Sequence, residues 1–126
     1  MDEGNNKVRK ATTFRDLVVW RRTIELGKAV YKTTQTMPND ERYGLTQQMR
    51  RAAVSIPSNI AEGNARRSRQ DYIRFLVIAR GSLAELETQL IIAEELKMLR
   101  KEQTMWDLIG ETTRMLQSLI NSLSHH

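Results

Sequence analysis

Between Tyr43 and Ser68 the chain reads YGLTQQMRRAAVSIPSNIAEGNARRS, and this stretch constrains the fold more than any other. Leu45, Met49, Ala52, Ala53, Ile56, Ile60 and Gly63 recur at three- and four-residue steps, which places them on one face of a helix running from about Glu41 to Asn64. Pro57 lies inside the pattern. It removes one backbone donor and crowds the carbonyl of Ala53, so a kink is expected there. The alternative is a break into two pieces at Ile56; the stripe continues in phase to Ile60, which favours the kink. Opposite the stripe lie Gln47, Arg51, Ser55, Ser58 and Glu62, also at helical steps. They could line a channel, pack on another helix or face solvent. Gly63-Asn64 is expected to end the helix through a left-handed cap.

Three further helices flank this one. Thr13 with Asp16 resembles a capping box, and Phe14, Leu17, Val18, Ile24, Val30 and Tyr31 mark a first helix to about Thr36, ended by Pro38-Asn39-Asp40. Ser68 with Asp71 makes a second box. It opens a long third helix to about Lys97, with Tyr72, Phe75, Leu76, Ala79, Leu83, Leu86, Leu90, Ala93 and Leu96 as its core stripe. Gly81-Ser82 within it is expected to permit a close helix approach. A second apolar strip, Ile73, Val77, Ala84 and Ile91, exceeds what one bundle core needs and points to an oligomer interface. A fourth helix spans about Glu102 to Leu123, with Met105, Leu108, Ile109, Thr112, Met115, Leu116, Leu119 and Leu123 inward. Short connections make an all-α, antiparallel up-down-up-down four-helix bundle over residues 13–123 the simplest arrangement. Residues 1–12 read as a disordered polar arm and 124–126 as a disordered tail.

The chemistry available is narrow. The chain has no cysteine, and its two histidines are terminal, so thiolate chemistry and an internal imidazole base are both missing. A di-iron bundle would need inward Glu-x-x-His pairs, and there are none. No Gly-rich phosphate loop is present. No catalytic residue, cofactor or metal is therefore assigned, and the chain reads as a non-enzyme. No apolar run approaches the roughly 18–20 residues that cross a bilayer, and the first residues lack the apolar core of a signal peptide; the expectation is a cytoplasmic protein.

Charge is the remaining signal. The formal net charge is +5, and residues 42–80 carry eight arginines against only Glu62 and Asp71. Arginine forks suit phosphate and carboxylate. Arg50, Arg51, Arg66, Arg67, Arg69 and Arg74 are the candidate nucleic-acid contacts, acting by phosphate neutralisation without base reading. The competing reading is a structural scaffold in which these arginines pair with glutamates of the third helix, within or between subunits. Trp20, Tyr43, Tyr72 and Phe75 are few for base stacking and are assigned to the core.

The runs YGLTQQMRRAAVSIPSNIAEG, FLVIARGSLAELETQL and FRDLVVW resemble the bacterial four-helix-bundle proteins first noted as products of intervening sequences in 23S ribosomal RNA genes. The resemblance covers roughly residues 13–123. It implies a ring-like assembly, typically a homopentamer. It also implies kinship with the accessory protein of diversity-generating retroelements, a positively charged barrel that binds nucleic acid (RNA or DNA) and a polymerase, the reverse transcriptase. No catalytic residues carry over. Arg50, Arg51 and the arginines after Gly63 match by position. The family commonly has an aromatic residue just after that glycine, where this chain has Asn64, so a stacking role does not carry over to this turn.

Overall fold

A computed structural model describes residues 13–125; the expected arm over 1–12 and His126 lie outside the described residues. Four helices make up the bundle: α1 (Val18–Thr34), α2 (Leu45–Asn64), α3 (Arg69–Glu95) and α4 (Gln103–Ser124), with 3-10 turns at Phe14–Asp16 and Asn39–Glu41. No strand occurs among the described residues. Side-chain pairs across each seam show that neighbours run antiparallel. Ser55 meets Ser82 while Gly63 abuts Tyr72 and Phe75. On the other side of the bundle Arg22 reaches Glu111, Arg80 reaches Gln117, and Trp106 reaches Glu94. Each helix packs on its two sequence neighbours around the ring, α1 also on α4, and the diagonal pairs do not approach. The α2–α3 seam is the most extensively packed.

The stripe of α2 is buried as its spacing requires: Met49, Ala52, Ala53, Ile56, Ile60 and Gly63 are all inside. The helix runs unbroken through Pro57, which excludes two separate pieces. Around the proline, side chains add donors to the backbone. The Ser58 hydroxyl bonds the Val54 carbonyl at 2.8 Å and the Asn59 amide bonds the Ser55 carbonyl at 2.8 Å. From α3 and α4, Leu76, Leu83, Leu86, Met105 and Leu116 complete the fully buried centre.

Several expectations are corrected. The first helix does not begin at Phe14: a 3-10 turn and an extended Leu17 intervene, and the change of phase moves the buried face to Val19, Thr23, Leu26, Val30 and Thr34. Val18 is 64% exposed as a result. Threonine can stand in this stripe because its hydroxyl returns to its own helix; Thr34 bonds the Val30 carbonyl at 2.7 Å. Leu96, counted in the core, is exposed just past the end of α3, and Ile120 of α4 is buried instead. Ser124 is the last residue of α4 rather than part of a tail.

Gly63 does not adopt a left-handed conformation, since no glycine has positive φ among the described residues. It is needed for space: a Cβ there would lie 2.8 Å from Cβ of Phe75 and 3.2 Å from the Tyr72 carbonyl oxygen. The close approach expected at Gly81-Ser82 occurs at Ser82, whose hydroxyl stands 2.9 Å from that of Ser55, and again at Gly63, whereas Gly81 itself faces open space. The left-handed cap occurs at Lys97 (φ 62°), where α3 ends. There Met98 N–H bonds the Ala93 carbonyl at 2.8 Å and Lys97 N–H bonds the Glu94 carbonyl at 3.0 Å, a Schellman pair.

Candidate nucleic-acid interface

The six candidate arginines do not form one patch. Arg50 and Arg51 belong to the first half of α2, whereas Arg66, Arg67, Arg69 and Arg74 surround the turn into α3. At ~1.5 Å per residue, Arg51 and Asn64 alone are about 20 Å apart along the helix axis. The antiparallel arrangement therefore sends the two groups to opposite ends of the bundle.

Within each group the arginines differ in what they already hold. Arg50 is half-buried. Its Nε donates to Thr34 Oγ1 at 2.8 Å and its Nη2 to the Tyr31 carbonyl at 3.2 Å, while the guanidinium lies 4.6 Å from the Tyr31 ring centroid. It thereby caps carbonyl-side groups at the end of α1. Its matched position is thus occupied by a structural task. Arg66 pairs with Glu62 at 2.7 Å and Arg74 with Asp71 at 3.5 Å, and both guanidinium carbons lie 4.8 Å from the Phe75 ring centroid. Arg51, Arg67 and Arg69 are exposed, and among the described residues no hydrogen bond or ion pair engages their side chains. These three are the arginines free to meet an external anion.

The turn carrying Arg67 and Arg69 is held by its flanks. Ser68 Oγ accepts the Asp71 N–H at 3.0 Å, the expected cap of α3. Asn64 donates to the Tyr72 hydroxyl at 3.3 Å. Burial raises the Tyr72 pKa above its ordinary value, and the Asn64 bond opposes that in part. Across the α1–α4 seam the hydrogen bond to Glu111 at 2.9 Å raises the pKa of Arg22.

The polar stripe of α2 resolves residue by residue. Ser55 packs on α3, its hydroxyl 2.9 Å from that of Ser82 and 3.0 Å from the Asn59 amide. Gln47, Arg51, Ser58 and Glu62 are exposed. The proposed interface strip on α3 divides similarly. Ile73 packs partly on its own core, whereas Val77, Ala84 and Ile91 are exposed, joined by Ile78 and Ile92.

Sequence reasoning missed the aromatic side of this surface. Tyr43, assigned to the core, is 82% exposed, and Tyr31 is 44% exposed. With Arg42, Thr46, Gln47, Arg50 and Arg51 they line a recess of about 630 Å³ at the α1–α2 end. The sequence carried no signal for this: the helix expected from about Glu41 begins at Leu45, which leaves Tyr43 in the loop before it. Tyr72, by contrast, is buried as assigned.

The model of the family described as 23S rRNA-intervening sequence protein matches residues 15–119. The chain belongs to this family. A solved structure of a protein of unknown function from the S23 ribosomal protein family of Bacteroides thetaiotaomicron is similar to it, with a TM-score of 0.75 at 25% identity. That similarity covers 82% of this chain and 96% of the other. No curated protein matches the chain. Among the described residues no cluster of histidine, aspartate and glutamate could hold a metal ion, and no helix is long and apolar enough to cross a membrane.

Proposed function

We propose that this chain is a non-enzymatic, oligomeric bundle that binds nucleic acid, or a nucleoprotein partner, through arginine–phosphate contacts with little sequence preference. The observation that carries the reading is the unpartnered state of Arg51, Arg67 and Arg69 within the protomer. In the scaffold alternative, arginines pair with the glutamates of α3, within or between subunits. Among the described residues the ion pairs within the protomer are Arg22–Glu111, Lys28–Glu25, Arg66–Glu62 and Arg74–Asp71, none of which uses a glutamate of α3, so that alternative rests on pairs between subunits. Three uncompensated guanidinium groups on the surface supply the counterion-releasing contacts that dominate nucleic-acid affinity.

The oligomer rests on a separate feature. Val77, Ala84 and Ile91 lie at seven-residue spacing on the outer face of α3, with Gly81 beside them facing open space. An exposed mid-helix glycine costs about 1 kcal/mol relative to alanine, and a second helix packed closely against it would compensate. A homo-oligomer, a pentamer by family resemblance, fits such a face.

Fluorescence anisotropy of generic RNA and DNA across a salt series tests the first part. Micromolar or tighter binding near physiological salt with a steep negative slope is expected, and reversal of Arg67 and Arg69 to glutamate should weaken binding and flatten the slope. Unchanged affinity after reversal would remove that turn from the site. Sedimentation velocity tests the second part: the wild type should be oligomeric and I91D should dissociate it, whereas a monomeric wild type would end the assembly reading.

A further inference from the structure

We infer that the recess between α1 and α2, at the end carrying Tyr31 and Tyr43, is a stacking site for unpaired bases, so that the protein prefers single-stranded nucleic acid to duplex. The inference rests on the nucleic-acid reading above and assigns it a ligand form and a place.

Phosphate neutralisation alone needs no aromatic side chains, yet this seam collects them. Tyr43 stands 82% exposed, well outside the core, so its ring has no packing role that explains it. Tyr31 opens onto the same recess. A guanidinium accompanies each ring: Arg42 lies 6.0 Å from the Tyr43 centroid and Arg50 4.6 Å from that of Tyr31. Arg51, on the same wall, has no partner within the protomer. The combination of a cationic wall with open ring faces is what single strands use, since each unpaired base offers a π-face and each linkage a phosphate. A duplex offers the phosphates but hides the faces.

One further observation points the same way. The recess shares Tyr31 and Val54 with a second groove of about 510 Å³, which runs along the same seam to Trp20 and Phe14. Those two rings pack edge to face at 5.1 Å and carry Arg21 and Arg15 within 5.1 and 5.9 Å of their centroids. The aromatic–arginine pairing therefore recurs at the far end of the seam, while the groove between is apolar with Lys28 as the cation in its lining. Two acids stand on the loop before α2: Glu41, whose carboxylate accepts the Leu45 N–H at 3.1 Å, and the exposed Asp40.

The test compares the intact wild-type protein with Y43A and Y43F. The probes are a labelled oligouridylate and an RNA hairpin of equal charge, each over a salt series. Y43A should weaken oligouridylate binding about tenfold, the scale of one lost base stack, with its salt slope and its hairpin affinity unchanged. Y43F should stay close to wild type. If the wild type binds RNA but Y43A loses nothing, or loses oligouridylate and hairpin equally, the stacking site is wrong and the phosphate-binding reading stands. If the wild type binds neither RNA, or takes up only polyglutamate as a mimic of an acidic protein partner, both readings fall.

Discussion

Along one flank α2 meets α3 through Ser55 and Gly63; along the other it meets α1 beside Arg50, Val54 and Pro57, and this second flank opens into grooves. The same helix thus makes a closed seam and an open one. Small side chains close the first, where a hydroxyl pair stands at 2.9 Å and a single Cβ at Gly63 would collide with α3. Rings and guanidinium groups border the second, where Tyr31, Tyr43 and Arg50 line the recess and Gly27 of α1 lies close to the Ala53 carbonyl. The two seams share one apolar core, so stability and surface chemistry are divided by flank rather than by helix.

The largest effect should come from filling the closed seam. G63A is expected to destabilise by about 1–3 kcal/mol, the usual cost of overpacking, read as a lower urea midpoint with an unchanged slope. An unaltered midpoint would mean that the seam is looser than its geometry. On the open seam the counterpart is R50A, which removes the bonds to Thr34 and the Tyr31 carbonyl and the contact with the Tyr31 ring. A loss of about 1–2 kcal/mol is expected. Its neighbour sharpens the contrast. R51A should leave stability within about 0.5 kcal/mol and reduce the salt slope of nucleic-acid binding by about one.

Two smaller effects follow. G81A places the same methyl group as G63A, but in open space on an exposed helix face. The isolated protomer should gain about 0.5–1 kcal/mol, while the oligomer, in which a second helix packs closely on Gly81, should weaken in sedimentation; an oligomer of unchanged stability would remove Gly81 from the intersubunit face. The last effect concerns pH. Tyr72 has its pKa raised by burial above the ordinary value of 10.0, so its contribution is fully present below about pH 10 and is lost as pH rises through the higher folded value. Alkaline denaturation of the wild type should therefore be steeper in that window than that of Y72F.

Much of this was legible in the residues themselves. The α2 stripe named its buried side chains almost without error, because a three-four repeat of pure apolar residues has one phase. The α1 stripe did not. A 3-10 turn and an extended Leu17 interrupt it, and two of its buried positions are threonines that look polar on paper. The candidate arginines were identifiable as a group, but not which of them are free. Arg50 and Arg51 are adjacent in the chain, yet one is locked onto α1 and the other exposed, because neighbouring residues on a helix point about 100° apart. Tyr43 was misplaced for a related reason. Its burial depends on whether the loop before α2 folds over the core, which no local pattern reports.

By itself, the sequence determined the class of fold, the number of helices, the excess of positive charge and the absence of cysteine and of any histidine before His125. Periodicity, composition and capping are local properties and survive in one dimension. Only the tertiary structure decided that the arginines split between two ends of the bundle, that Gly63 rather than Gly81 makes the close approach, and that Tyr31 and Tyr43 share one recess with Arg51. Each of these depends on which helix faces stand opposite one another. That is set by packing between residues far apart in the chain, where side-chain volume, rather than sequence spacing, selects what can meet.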